Sequence, residues 1–267
     1  GAGASAIACA NHYVALGVNL DNIMMCDSQG IMTKKRLDSG ELNEYKAKFA
    51  RDVADGDLGQ ALVGADVFLG LSRGGLVSSE MVSKMADKPI IFALANPTPE
   101  IMPSEVLSVR KDAIIATGRS DFPNQVNNVL GFPYIFRGAL DVRARDITQG
   151  MKMAATKALA ALAKEPVPDY ITHAYAGETM QYGPDYIIPK PFDRRVLIWE
   201  AADVAEAAVN EGIAAISPAD FDKQKYKESL EARLGMSYSV MRGVFNQVKG
   251  KGKKIVLNPL TFIHDGV

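Results

Sequence analysis

The chain has 267 residues, 48% of them hydrophobic and 23% charged, which excludes disordered, collagenous and low-complexity classes and allows a sizeable buried core. Thirty basic residues against thirty-one acidic ones leave a formal charge of −1, so nothing in the charge favours nucleic acid or an anionic membrane as partner. Two cysteines, Cys9 and Cys26, rule out a disulfide scaffold and a four-cysteine zinc site and fit a reducing cytoplasm, and no apolar run reaches the ~18 residues of a membrane span.

The predicted elements alternate along the first half. Residues 4–17 are apolar at helical spacing and close on Gly17 as a C-cap. Residues 22–27 form a short apolar run ending in Asp27, a strand candidate, and a charged helix is expected over 41–51. Apolar runs at 65–70, 89–96 and 113–118 follow, with helical segments such as 78–87 between them. This alternation implies a parallel sheet with helices on both faces, its strands buried on both sides. In the second half, 125–143 and 146–164 read as two helices. Pro166, Pro168, Pro184, Pro189 and Pro191 make 165–193 an irregular connection. A helix is expected over 194–212, closed by Gly212, and another over about 220–234. Beyond it a helix-like piece, a solvated Lys249–Lys254 linker and a short apolar run are expected.

The first six residues, Gly1-Ala2-Gly3-Ala4-Ser5-Ala6, match G-x-G-x-x-A at the start of a helix. Gly1 permits the tight turn, Gly3 lets backbone approach a pyrophosphate, and Ala6 allows close helix–strand packing. The helix N-terminus offers unpaired N–H groups to the phosphates. Asp27, at the end of the next strand candidate, is placed to accept hydrogen bonds from the adenosine ribose. Asn96 ends the 89–96 run, where open α/β sheets bind ligands, although taken alone an Asn-Pro turn is the stronger explanation of it. Asn124, Gln125, Asn127 and Asn128 suit a ligand carrying carboxylate and carbonyl groups, or a polar helix start. His12, His173 and His264 show no metal-ligand spacing, and the cysteines read as small buried hydrophobes. The fold class is therefore α/β: a Rossmann-like doubly wound parallel sheet, with its first strand expected before Gly1 and a helical C-terminal extension.

Taken together, GAGASAIA (1–8), MMCDSQGI (24–31), ADVFLG (65–70), IIFALANPTPEI (90–101), ATGRSDFPNQVNNVLGFPYIFRGALDV (116–142) and YGPDYIIPKPFDRRV (182–196) resemble the cofactor-binding half of the malic enzymes, particularly the bacterial multimodular type fused to a phosphate acetyltransferase-like domain. On that resemblance residues 1–235 are the NAD(P)-binding domain with its helical extension, and 236–267 a linker and the start of the acyltransferase-like domain. The resemblance implies oxidative decarboxylation of L-malate to pyruvate and CO2, with NADP or NAD as hydride acceptor and Mg2+ or Mn2+ required. It places Gly1, Gly3, Ser5 and Ala6 on the pyrophosphate, Asp27 and Ser28 on the adenosine ribose, Asn96, Asn127 and Asn128 on malate, and Asn96 and Asn128 on the cofactor as well, Asn128 at the nicotinamide ribose. It assigns no catalytic acid, base or metal ligand to this chain; those are expected upstream, so the chain alone is expected to be inactive. Asp27 favours NAD, whereas Lys34, Lys35 or Lys46 would suit the 2′-phosphate of NADP, the family's more usual cofactor. A homo-oligomeric whole enzyme is also implied. The competing readings are another NAD(P)-dependent dehydrogenase, such as an amino-acid dehydrogenase relative, and a non-catalytic dinucleotide-binding module.

Overall fold

The computed structural model describes residues 1–175 and 180–248, with side chains up to 235; the Lys249–Lys254 stretch and the apolar run after it lie outside the described residues. The chain divides into two compact units, Gly1–Lys223 and Gln224–Val267.

The first unit opens with helix α1, Ala4–Ala15, followed by a two-stranded antiparallel hairpin, β1 (Cys26–Asp27) and β2 (Gly30–Ile31). The run 22–27 thus does not join the main sheet. Asp27 Oδ1 accepts the Gln29 N–H at 3.0 Å, and Gly30 sits at φ +110, a left-handed conformation that turns the chain back at once. Helices α2 (Lys34–Asp38), α3 (Glu44–Ala47) and α4 (Leu58–Leu62) are short. The expected 41–51 helix stops at Ala47, and Arg51 instead bridges Thr33, with Arg51 N donating to Met32 O and Lys34 N to Arg51 O.

Strands β3 (Val67–Gly70), β4 (Ile90–Ala93) and β5 (Ile114–Thr117) form the parallel sheet in the order β3-β4-β5, Val67 opposite Ile90 and Ile90 opposite Ile114. Helices α5 (Ser79–Ser83) and α6 (Pro103–Val109) are the crossovers. The strands do not match the expectation of burial on both faces: Ile91 and Ala93 are fully buried, but Ile90 and Phe92 are half-buried and Val67 is exposed. One face carries the core with Phe68, Val82, Met85, Ile101 and Val106.

A 3-10 turn, Asn128–Leu130, and α7 (Phe132–Asp141) replace the continuous helix expected over 125–143. The helix starts late because Val126 N is drawn onto Thr117 O at 2.8 Å, and Pro133 fixes the first helical turn. Helix α8 (Gln149–Leu162) follows as predicted. The proline-rich segment holds one short helix, α9 (Asp169–Ala174), ahead of α10 (Arg195–Asn210). Helix α11, Lys223–Val248, runs well past 234; no proline interrupts the chain between Pro218 and Pro259, and a single Gly235 does not end a helix.

Helices α7 and α10 touch where small residues meet. A Cβ on Gly138 would overlap Ala201 O and lie 3.0 Å from Val204 Cβ. Gly138→Val is therefore expected to force the two helices apart and destabilise the chain by about 2–3 kcal/mol, readable as a lower urea midpoint, whereas an equivalent change at exposed Gly235, where a Cβ would meet no atom within 4 Å, should do far less.

Candidate functional site

The carboxyl ends of the three parallel strands and the glycine turn meet at one edge. A Cβ on Gly1 would lie 3.1 Å from Leu71 O and 3.3 Å from Ser72 Cβ, so the turn rests directly on the residues that follow β3. Gly3 is the N-cap of α1, no side chain caps it, and a Cβ there would meet no atom within 4 Å. The first-turn N–H groups of a 12-residue helix thus open onto free space, a cradle that fits a pyrophosphate. Ala6 is buried on the inner side of α1 and Ser5 is exposed at its start.

Glu100 organises this edge, and nothing in the motif reading singled it out. It is fully buried; Oε1 accepts the Ser72 N–H at 2.9 Å and Oε2 the Ala95 N–H at 3.0 Å. One carboxyl group therefore ties the end of β3 to the end of β4. Gly70 makes room for it, since a Cβ there would sit 2.6 Å from Oε2 and 2.8 Å from Oε1. The sequence signal was an acid just past a strand-end Asn-Pro pair, opposite a glycine ending the neighbouring strand.

The amides divide into two sets. Asn124 is buried in a left-handed conformation, φ 55; its Nδ2 donates to Ile115 O and Pro184 O, and its Oδ1 accepts the Ile187 N–H. That side chain is buried, with both amide hydrogens used, and is committed to joining β5 to the 184–187 segment. Asn96 and Asn128 are exposed at the strand-end edge, and their side chains make no hydrogen bond among the described residues. Asn127 is exposed as well, with Oδ1 capping the 3-10 turn through the Val129 N–H at 3.0 Å while its Nδ2 stays outward.

Asp27 lies in an ion cluster. Arg36 Nη1 and Nη2 donate to its two oxygens at 3.0 and 3.1 Å, Lys46 Nζ adds a third contact at 3.1 Å, and Arg36 Nε donates to Glu41. Ser28, next to Asp27, is exposed. Lys34 and Lys35 turn away to Asp52 and Asp55. Burial pushes the Asp27 carboxyl up, but the hydrogen bonds from Arg36, Gln29 and Lys46 outweigh it and hold it at about 2, below its ordinary 3.8. A depressed acid contributes stability that is present above 3.8 and lost as pH falls toward 2. Asp27→Asn is therefore expected to lower the urea midpoint above about pH 4 and to flatten its decline between about pH 4 and 2, the range set by that shift.

His12 Nε2 lies 2.8 Å from Thr156 Oγ1 and its Nδ1 2.8 Å from Gln149 Nε2, so the imidazole ties α1 to α8. Burial, helped by Lys152, pushes it down and keeps it neutral. Among the described residues no group of three or more His, Cys, Asp or Glu side chains is placed to hold a metal ion, and no helix is long and apolar enough to cross a membrane.

The parallel sheet, its glycine turn and the open amino end of α1 define a dinucleotide-binding α/β domain. A family model described as malic enzyme, NAD binding domain, matches residues 1–171. The chain is 50% identical over 256 residues to an NADP-dependent malic enzyme of Rhizobium meliloti, covering 96% of this chain and 33% of that protein. It is 48% identical over 257 residues to an NAD-dependent malic enzyme of the same organism, with the same two coverages of 96% and 33%. The crystal structure of Entamoeba histolytica malic enzyme superposes with a TM-score of 0.76 at 35% identity, over 93% of this chain and 49% of that one. The chain belongs to the malic enzyme family, whose NAD-binding domain it contains, and it spans about a third of the length of these curated relatives.

Proposed function

We propose that this chain is the cofactor-binding half of an enzyme that oxidatively decarboxylates L-malate to pyruvate and CO2, with NADP+ as its preferred hydride acceptor. The observation that carries the reading is the convergence of the uncapped α1 amino end with exposed, unpartnered Asn96 and Asn128 at one sheet edge. The pyrophosphate lies on the first turn of α1, held by the N–H groups after Gly3 with Gly1, Ser5 and Ala6 lining it. Asp27 and Ser28 take the adenosine ribose. Asn96, Asn127 and Asn128 hold malate, and Asn128 also holds the nicotinamide ribose; an amide donates to a carboxylate and accepts from a hydroxyl, which fits a 2-hydroxy acid. When bound, the nicotinamide accepts hydride from C2 of malate. This chain contributes binding and orientation to that step.

On the family resemblance, Mg2+ or Mn2+, and the acid and base, are assigned to the part of the enzyme outside this chain. On the same resemblance, residues 236–267 are assigned as the linker and start of a phosphate acetyltransferase-like domain. Two free cysteines, Cys9 and Cys26, support a reducing, cytoplasmic setting, and the whole enzyme is assigned as a homo-oligomer on the family resemblance.

The relatives include both an NAD- and an NADP-dependent enzyme at nearly equal identity, so overall likeness does not select the nucleotide. Lys46 supports the choice of NADP+: its ammonium lies 3.1 Å from Asp27, the residue before exposed Ser28. Titration calorimetry of this chain should show NADP+ bound more tightly than NAD+, with no malate-dependent reduction of either. Absence of nucleotide binding, or metal-dependent turnover by the chain alone, would overturn the reading.

A further inference from the structure

Glu200 lies in the middle of α10 and is fully buried, yet neither carboxyl oxygen has a hydrogen-bond partner. A buried polar group left unpaired costs about 1–3 kcal/mol, and a hydrophobe of similar volume would be more stable there. The carboxyl lies under a specific feature. A Cβ on Gly131 would come 3.9 Å from Oε1, and Gly131 both ends the 3-10 turn Asn128–Leu130 and caps α7. That turn carries Asn127 and Asn128 and is held by two backbone hydrogen bonds, Leu130 N to Asn127 O and Gly131 N to Asn128 O, each 3.0 Å.

We propose that Glu200 is a positioning residue of the site: as a neutral carboxylic acid it supports the Asn128–Gly131 turn from the interior, and on losing its proton it releases that turn. The consequence for the nucleotide rests on the placement of Asn128 given above. Ionisation would leave a carboxylate with no cation in an apolar setting beside Leu130, Val196 and Trp199. It would be drawn toward the amino end of α7, whose cap is Gly131, the residue that also ends the turn. Burial pushes the Glu200 carboxyl up to about 9, so the neutral form prevails at neutral pH. Tyr134 of α7 faces it, and Glu200 adds to the upward push that burial gives the Tyr134 phenol. Of the other charged groups on helices packed against α10, Arg137 and Asp141 of α7 pair with each other, and Lys152 and Lys157 of α8 are exposed.

Trp199, the single tryptophan and the neighbour of Glu200 in the chain, gives a readout independent of any ligand. Its emission and the NADP+ dissociation constant are to be followed from about pH 7 to 10.5, spanning the raised carboxyl, in the wild-type chain, Glu200→Gln, Glu200→Leu and a Tyr134→Phe control. The wild type and the Tyr134→Phe control should show an emission change with a midpoint near 9, with NADP+ affinity falling about ten-fold along the same curve. Glu200→Gln, which keeps a donor and the shape, should bind like wild type at neutral pH and lose both transitions. Glu200→Leu, which fills the same space and cannot ionise, should melt higher, bind like wild type at neutral pH and also lose both transitions. A transition shared by wild type and either Glu200→Gln or Glu200→Leu, or no transition in wild type, overturns the proposal. If Glu200→Leu does not fold, the Gln comparison decides. If no NADP+ binds at any pH, the cofactor reading fails, while the Trp199 titration still decides the role of Glu200.

Discussion

Glu100→Ala is expected to lower the midpoint of thermal unfolding of this chain by about 6–20 °C. The carboxyl accepts one N–H from each of two neighbouring strand ends, Ser72 at 2.9 Å and Ala95 at 3.0 Å, in a fully buried place. Truncation removes two charge-assisted hydrogen bonds and strands two backbone donors without water. Each such loss is worth about 1.5–2.5 kcal/mol, so about 3–5 in all, and for a chain of this size each kcal/mol moves the midpoint by about 2–4 °C. Glu100→Gln should cost about half as much, because its NH2 faces one of the two N–H groups while its carbonyl still serves the other. Gly70→Ala tests the same contact from the other side, since its methyl group enters the space of the carboxylate. In the Glu100→Ala background that methyl has room. The double variant should therefore be more stable than the sum of the two single losses predicts, by about 1–2 kcal/mol. Additive losses would show that Gly70 and Glu100 do not share the space. Both single variants should also weaken NADP+ binding, because Ser72 abuts Gly1 and Ala95 precedes Asn96.

The fold was legible where local pattern and tertiary setting agree. The runs at 65–70, 89–96 and 113–118 became β3, β4 and β5, and the long helices 146–164 and 194–212 became α8 and α10 within two residues at most ends. It was illegible where a single contact overrides periodicity. Residues 22–27 carry a strand's composition, but the turn at Asp27–Gly30 takes two of them into a hairpin. Residues 48–51 continue a helical pattern, but the Arg51 backbone pairs with Met32 and Lys34. The site shows the same division. Glycine spacing exposes the phosphate cradle because glycine is the only way to bring backbone that close. An amide's type does not say whether it serves a ligand or the fold, so Asn124 could not be separated from Asn128 until its burial and its bonds to Ile115 O, Pro184 O and the Ile187 N–H were seen. Glu100 and Glu200 escaped for a related reason. An acid in sequence reads as surface, and only burial shows that one is doubly bonded and the other unpaired.

Lys46→Gln is expected to reduce NADP+ affinity by about 10- to 100-fold while changing NAD+ affinity by less than about three-fold, a difference of about 1.5–3 kcal/mol carried by one charged contact. An aspartate at this place ordinarily repels a 2′-phosphate and selects NAD. Here its charge is already engaged. Arg36 holds both oxygens but is shared with Glu41, which leaves Lys46 as the cation whose ion pair among the described residues is with Asp27 alone. An ammonium has three donors, and Lys46 uses one of them on Asp27 Oδ2 at 3.1 Å. The remaining donors are free for a phosphate standing over exposed Ser28. Removing the lysine takes away that partner and also unmasks part of the Asp27 charge, so both effects act against NADP+ and neither against the diol of NAD+. Dissociation constants for the two nucleotides, measured by calorimetry at low and high salt, check this directly. The wild-type preference for NADP+ should shrink as salt rises, because the side chain is partly open to solvent, and the variant should show little salt dependence of the ratio. Equal losses for both nucleotides would instead place Lys46 in the support of the Asp27 turn, with no part in choosing between them.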